Sequence, residues 1–520
     1  MSTNDRSNDS IDDSKKATAT KPVKAKAPAA KKAAAKTATA NAGATKTTTK
    51  TVTKAATKAA PAKAAAKSTT AKAGKSTAKA TVTTLSSKPA HPFAGKGGRI
   101  AVVDGVRTPF ARLGTHFRDL SAIDLGVLVV QELMKRNDLK PEQISQLVFG
   151  MTVMIPEAPF IGREIALANG MFNTDAYSIT RACATSFQTV ASGAESILAG
   201  NADIVIAGGT DSTSSVRLPM SAKTSAVLRD MNFAKTLVDK LKILSTLRPR
   251  DLLPLRPSIT ELTTGETMGQ SCEKMVKKWG VSRAEQDDIA SASQSNAARA
   301  WKKGHMDSEV MTVTLANGKT LHADNLVRME NNRAAYDKLK PCFDLSGAGT
   351  VTAGNSSPLT DGASCVLLMT EERAKALGYE PLGYIRASAF AAKTPQDDLL
   401  MGPVLAAPVA LQRAGMTLDD MDTIDMHEAF AGQVACNIRG FASKAYASEF
   451  GYGKPMGDVN LDKLNINGGS IAFGHPFGAT GTRIISQVLH ELKRRGGGVG
   501  LTTACAAGGI GAAMVLESDG

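Results

Sequence analysis

From residue 98 to residue 212 the chain alternates strand-like and helix-like patterns, and the alternation returns between residues 467 and 517. In 98-GRIAVVDGVRTPF-110 a β-branched run ends at Gly and Pro, which reads as a strand. In 121-SAIDLGVLVVQELMKR-136, Ser121 and Asp124 form a capping-box pair, and Leu125, Leu128, Val129 and Leu133 share one helical face. A short strand, 147-LVFG-150, follows. Next, 178-SITRACATSFQTVASGAESILAG-200 carries a cysteine into a helical stretch, and 203-DIVIAGGTDS-212 runs an apolar strand into a glycine turn. Such alternation dictates a mainly parallel sheet with helices on its faces. At the far end, 467-NGGSIAFGHPFGATG-481 opens a helical segment over 482–495, and 498-GVGLTTACAAGGIGAAMVLE-517 supplies a strand, a cysteine turn and a second strand. The shared grammar is a weak internal repeat, and it implies two related α/β halves packed face to face.

The first 97 residues cannot belong to that architecture. They hold nineteen lysines, one arginine, four aspartates and no glutamate, a net charge of +16. Since the whole chain carries +15, the remainder is close to neutral at about −1. The Lys/Ala/Thr repetition has almost no large apolar residue with which to offset chain entropy, so disorder is expected over 1–97. In composition it resembles histone-like tails, which bind polyanions non-specifically; a tether or solubilising extension is the plainer reading. No apolar leader core opens the chain, the segment is Lys-rich rather than Arg-rich, and Asp5, Asp9, Asp12 and Asp13 stand near its start. No apolar run approaches a membrane span, and six scattered cysteines without CxxC spacing suit a reducing compartment. A cytoplasmic location is therefore expected.

Composition shifts again over 216–344. In 226-AVLRDMNFAKTLVDKLKILSTLRPRD-251, Val227, Met231, Ala234, Val238, Leu241 and Leu244 follow a helical stripe, flanked by Lys235, Lys240, Lys242, Arg248 and Arg250. A basic amphipathic helix of this kind lies on a membrane surface, docks a partner, or packs as a lid over an active-site mouth.

Four short segments are too rich in Gly, His and Cys for ordinary packing. Cys183 lies in TRACATS, where small neighbours admit a ligand and a following helix N-terminus favours the thiolate. Taken alone, it reads as readily as a buried, inert cysteine. His475 lies between Gly474 and Pro476 and could take a thiol proton or polarise an acyl oxygen. Cys505 precedes AAGGIG; a second thiol is useless for simple acyl hydrolysis but suits proton transfer at the α-carbon of a thioester. His427 and Glu428 lie in 425-DMHEAFA-431. The two Cys and two His lack the close pairs of a structural zinc site, so no metal is expected.

In combination TRACATS, ADIVIAGGTDS, TVTAGNSSPLTDGAS, MHEAFA, NGGSIAFGHPFGATGTR and CAAGGIG resemble the thiolases, acetyl-CoA C-acyltransferases, over residues 98–520. Within that superfamily the chain is most similar to the β-subunits of fatty-acid β-oxidation complexes of the trifunctional type. The resemblance implies an α/β thiolase fold with a five-layer α-β-α-β-α core. Its domains would be 98–215 plus 345–374 for the N-terminal half, 216–344 for an inserted loop domain and 375–520 for the C-terminal half. It implies cleavage of a 3-ketoacyl-CoA by coenzyme A through an acyl-cysteine, in a ping-pong cycle with no cofactor beyond coenzyme A as substrate. Residue by residue, Cys183 would be the nucleophile, His475 its activator, Cys505 the acid/base at the α-carbon, and His427 part of an oxyanion site. A second oxyanion site would use the backbone N–H groups of Cys183 and Ala507. Coenzyme A would touch Ser357, Met268 and Phe430, although a loop-capping hydroxyl and two core side chains describe them equally well. A homodimer or larger assembly, a hydratase/dehydrogenase α-subunit, and membrane contact through 226–251 are further implications. A biosynthetic acetoacetyl-CoA thiolase fits the same motifs. A non-catalytic CoA or lipid binder fits them less well, because all four catalytic-type residues are retained.

Overall fold

The computed structural model describes residues 92–255 and 260–520, so the expectation of disorder over 1–97 lies outside the described residues up to residue 91. Beyond that it fails, because Phe93 is buried in the core and Ala94–Gly95 pairs with Gly98–Arg99. The N-terminal half comprises β1 (Gly98–Arg107), α1 (Ala122–Arg136), β2 (Gln146–Gly150), α2 (Ile161–Ala168), β3 (Asp175–Ile179), α3 (Thr185–Leu198) and β4 (Val205–Asp211). Helix α1 starts where its capping box requires, with the Ser121 side chain and Asp124 satisfying each other's backbone N–H groups. Leu125, Val129 and Leu133 are buried as the periodicity demands. The chain then leaves the sheet for almost 150 residues and returns as β5 (Thr360–Thr370).

The excursion contains α4 (Ala222–Phe233), α5 (Leu237–Leu244), α6 (Met268–Lys278) and α7 (Arg283–Lys302). The single amphipathic helix expected over 226–251 is in fact two short helices. The first ends at Ala234, which is extended, and Thr236 caps the second by accepting the Asp239 N–H. An internal capping residue is a stop signal that an apolar stripe cannot override. Of that stripe only Val227 is buried; Val238 and Leu241 are exposed, and α5 buries no residue at all. The segment is therefore not packed down as a lid. Helix α6, by contrast, buries Cys272, Met275 and Val276 in the C-terminal core.

The C-terminal half comprises β6 (Gly383–Ala392), α8 (Gly402–Ala414), β7 (Thr423–Met426), α9 (Ala431–Ala442), α10 (Thr480–Arg494), β8 (Gly498–Ala506) and β9 (Ile510–Ser518). One hydrogen-bonded path runs β7-β8-β9-β6-β1-β5-β4-β2-β3. Its two ends obey one rule. In the first half β3, β2 and β4 are parallel, while β5 is antiparallel to both β4 and β1. In the second, β7 and β8 are parallel, while β9 is antiparallel to both β8 and β6. The outer strand of the second half shrinks to one parallel bridge between Leu464 and Ile424. The weak repeat in the sequence is thus a repeat in topology. The antiparallel pairing of Gly383–Ile385 with Ile100–Val102, which joins the halves, had no signal in the sequence.

Helices α3 and α10 form the middle layer. Phe187, Val190 and Ala191 of α3 and Ile484, Ile485, Val488 and Leu489 of α10 share one core with strand residues of both halves. Helices α1 and α2 cover the outer face of the first sheet, and α8 and α9 that of the second. That gives the five layers α-β-α-β-α. Each fully buried Leu, Ile or Val contributes about 1.5–3 kcal/mol, so the shared layer holds the halves, and the loops at its helix N-termini, in fixed register. No helix among the described residues is long and apolar enough to cross a membrane.

Candidate active site

The functional loops meet where α3 and α10 begin. Gly209 of β4 lets them meet: a Cβ there would stand 2.0 Å from the carbonyl oxygen of Gly478. Asp211, two residues on, ties the same loops together by accepting the N–H groups of Val153 at 2.7 Å and Gly478 at 2.6 Å. Its own carboxyl is pushed up to about 6 by burial, against the pull of those hydrogen bonds.

Cys183 lies between β3 and α3, preceded by Ala182 in the left-handed region at φ +46°. A non-glycine residue there is strained, and the strain presents the following thiol to the cleft. The helix N-terminus was expected to lower the thiol's pKa. Burial does the opposite and pushes it up to about 12, with the charge of Asp211 adding to the rise, although the Ala507 N–H donates to the sulfur. The resting thiol is therefore protonated at neutral pH and needs a base in contact with it.

Two imidazoles stand beside the thiol. His427 follows β7, its N–H bonded to the Thr503 carbonyl at 2.8 Å. His475 follows Gly474, which has φ +103°. The Cys183 sulfur and one ring nitrogen of each histidine all lie within 4.8 Å of one another. The two ring centroids are 4.0 Å apart. Each Nδ1 is held by a hydroxyl: Ser470 Oγ at 2.9 Å for His427 and Thr480 Oγ1 at 2.6 Å for His475. Each Nε2 is buried with no hydrogen-bond partner among the described residues. Burial, with the Arg483 charge behind it, pushes His475 down to about 3. Burial, then the neighbouring His475 and Arg483, hold His427 well below the usual imidazole range. Both rings are neutral at physiological pH.

Cys505 is the next-to-last residue of β8, paired with Gly511, and so sits in the strand rather than in the turn foreseen. It is buried, and burial followed by the nearness of Cys183 raises its thiol far above the ordinary value. The four residues singled out in the sequence thus converge, although up to 322 positions separate them. That convergence removes the spacing argument against a metal, since Cys183, His427 and His475 are close enough to surround an ion.

A cleft of about 740 Å³ leads down to Cys183 and Ala507, walled by Leu113, Val153, Leu218, Leu359 and Phe477. Met268 lines it. Ser357 and Phe430 do not. The Ser357 N–H is bonded to the Ala429 carbonyl, and Phe430 packs edge-on against Phe343 in the C-terminal core. Sequence reasoning missed Asp211, Ser470, Thr480 and Arg483. All four lie inside quoted motifs; what hid them is that each acts on a neighbour rather than facing the cleft.

The family model for the thiolase N-terminal domain matches residues 100–372, and that for the thiolase C-terminal domain matches residues 379–518. The chain belongs to the thiolase family. A 3-ketoacyl-CoA thiolase of Pseudoalteromonas translucida is 53% identical over 426 residues, 81% of this chain and 98% of that protein. A 3-ketoacyl-CoA thiolase of Yersinia pestis is 52% identical over 436 residues, 83% of this chain and 100% of that protein. Among solved structures, human mitochondrial 3-ketoacyl-CoA thiolase in complex with CoA superposes with a TM-score of 0.66 at 29% identity, covering 81% of this chain and 98% of that one. The acetyl-CoA acetyltransferase of Bacillus anthracis gives 0.68 at 28% identity, with the same coverage. This thiolase is an acyltransferase by family.

Proposed function

We propose that this thiolase cleaves 3-ketoacyl-CoA with coenzyme A, giving acetyl-CoA and an acyl-CoA two carbons shorter. The observation that carries the reading is the meeting of Cys183, His427 and His475 within 4.8 Å, with Cys183 at the floor of an apolar cleft. The Cys183 thiol gives its proton to His475 Nε2 and its sulfur attacks the keto carbon. Charge on that oxygen falls to the backbone N–H groups of Cys183 and Ala507. The bond between the α and keto carbons breaks, leaving a thioester on Cys183 and the enolate of acetyl-CoA. His427 and the protonated His475 donate to the enolate oxygen while the Cys505 thiol protonates the α-carbon. The Cys505 thiolate then takes the proton of incoming coenzyme A, whose sulfur accepts the acyl group. Cys183 leaves and recovers its proton from His475. Two oxyanion sites are needed because the charge appears on a different oxygen in each step.

No metal or redox group enters these steps, and we propose none. Metal analysis of the active, purified protein tests this: stoichiometric zinc that tracks with activity would overturn it. The main experiment is steady-state thiolysis across graded chain lengths with the wild type and with Cys183→Ala. Turnover of longer substrates supports a degradative, β-oxidation role; activity with acetoacetyl-CoA alone supports the biosynthetic alternative. A Cys183→Ala variant with a normal rate sinks both.

Two surfaces support an assembly. The sheet path ends at β3, whose outer edge pairs with no described strand, and an edge of this kind is normally covered. A second copy across that edge would give the expected homodimer. Phe233, Leu237, Val238 and Leu241 are all at least 57% exposed, with Lys235, Lys240 and Lys242 beside them. That face favours docking on an anionic membrane or on an α-subunit. Liposome flotation and gel filtration of a co-expressed pair separate the two, and a lone dimer that floats with neither result removes both. All six cysteines are free, which supports the cytoplasm as the compartment.

A further inference from the structure

The two histidines leave the same nitrogen, Nε2, without a hydrogen-bond partner among the described residues, yet the reaction asks opposite things of them. Cys183 needs a lone pair to take its proton; the substrate oxygen needs an N–H. A neutral imidazole offers one or the other at Nε2, according to what its Nδ1 does.

At His427, Nδ1 meets Ser470 Oγ at 2.9 Å. The same oxygen accepts an N–H from Arg483 Nη2 at 3.1 Å. Arg483 is fully buried and can only donate. Ser470 spends a lone pair on Arg483, and because its hydroxyl meets no acceptor other than Nδ1 among the described residues, it turns its one proton to Nδ1, which accepts it. The proton of His427 then sits on Nε2. At His475, Nδ1 meets Thr480 Oγ1 at 2.6 Å. That hydroxyl also donates to the Pro476 carbonyl at 3.0 Å. A carbonyl can only accept, so the single Thr480 proton is committed, and Oγ1 accepts from Nδ1–H. His475 Nε2 is left with its lone pair. Ser470 and Thr480 are both completely buried, so water does not compete for either hydroxyl.

We propose that Ser470 with Arg483, and Thr480 with the Pro476 carbonyl, are positioning residues that hold the two histidines in opposite tautomers. His427 presents an N–H and His475 a lone pair. The consequence is a division of labour between rings whose centroids are 4.0 Å apart. Only His475 can accept the Cys183 proton. Once it has done so, both Nε2 atoms carry hydrogen, and the enolate oxygen finds two donors where the resting site had one. This rests on the reading of Cys183 as the acylated nucleophile, but tautomers and thiol reactivity are measured without any acyl-CoA.

The direct test is nitrogen NMR of the full chain with labelled histidine. The expected result is an unprotonated shift at His427 Nδ1 and His475 Nε2, with protonated shifts at the other two nitrogens. The same tautomer on both rings overturns the proposal. The second test follows iodoacetamide alkylation of the Cys183 peptide by mass spectrometry, which needs a base but no oxyanion donor. Thr480→Val should slow alkylation at least about tenfold, the scale of general-base assistance, and Thr480→Ser should restore it. Ser470→Ala should leave alkylation within about twofold while lowering kcat of thiolysis at least about tenfold with KM little changed. Equal effects of Thr480→Val and Ser470→Ala on alkylation overturn the division of labour, whether or not the variants are destabilised. Opposite tautomers in a protein with no thiolysis at any chain length would leave the inference standing and sink the proposed reaction.

Discussion

Gly209→Ala isolates one contact on which the geometry of the active site depends. Gly209 does not occupy the left-handed region, so alanine is compatible with its backbone, and the cost is steric alone. Its Cβ would lie 2.0 Å from the Gly478 carbonyl oxygen and 2.6 Å from the Gly478 carbonyl carbon. Ordinary contact begins at 3.4 Å, so the 474–479 loop must retreat by about 1.4 Å. That loop carries His475 and is anchored by its Gly478 N–H to Asp211. A misplacement of about 1 Å costs on the order of 100-fold in rate, and overpacking costs about 1–3 kcal/mol of stability. The expected variant is a folded protein whose kcat for thiolysis falls about 100-fold and whose Tm drops by a few degrees. Gly378→Ala is the control. Its Cβ would meet nothing within 4 Å, but its φ is +78°, so it should lose about 1 kcal/mol and keep wild-type kcat. Stopped-flow thiolysis and thermal unfolding of both variants decide the matter. Wild-type kcat in Gly209→Ala would refute the claim that β4 and the His475 loop are held in register by this approach.

Cys505→Ser should keep acylation of Cys183 by acetyl-CoA yet lose deuterium uptake at the acetyl α-carbon, since the alcohol is too weak an acid and base at neutral pH; NMR of recovered acetyl-CoA reads this. Acid stability should report the neutral imidazoles. His475 has a folded pKa of about 3 against about 6.5 unfolded, so its contribution is present above pH 6.5 and is lost as pH falls towards 3. From this ring alone, denaturant titrations at pH 7 and pH 4.5 should differ by about 2.5 kcal/mol, a difference that His475→Gln should remove. Deleting residues 1–91, which spares the buried Phe93, should leave kcat and KM for thiolysis unchanged, while any retention on heparin should be lost with the tail.

Much of the fold was legible because its signals are local, although the sheet is not mainly parallel as expected. Along its path three pairings are parallel and five antiparallel, since strand direction is set by partners distant in sequence. The capping box at Ser121, the β-branched run at 98–107 and the glycine turn after β8 each act within a few residues, whereas the glycines read as a turn after Ile206 lie inside β4. The four chemical side chains were legible for a related reason, since three of them sit in conspicuous small-residue turns and the fourth, Cys505, at the strand end just before one. What could not be read is what depends on pairs distant in sequence. The rise in the Cys183 thiol pKa comes from burial and from Asp211, and no helix-terminus argument anticipates it. The junction of β1 with β6 and the Arg483–Ser470 contact are likewise products of packing. The basic stripe at 226–251 misled for the opposite reason. Its apolar period was genuine, but the Thr236 cap divided it and no core received it.

The central claim is that one sulfur carries the acyl group. The most direct test mixes the protein with a 3-ketoacyl-CoA in the absence of free coenzyme A and analyses it by peptide mass spectrometry. The account predicts one acetyl-CoA released per active site and a mass increase on the Cys183 peptide equal to the shortened acyl group. Addition of coenzyme A should discharge that group as acyl-CoA. Acetyl-CoA release with Cys183 unmodified, or acylation of Cys505 in its place, would contradict it.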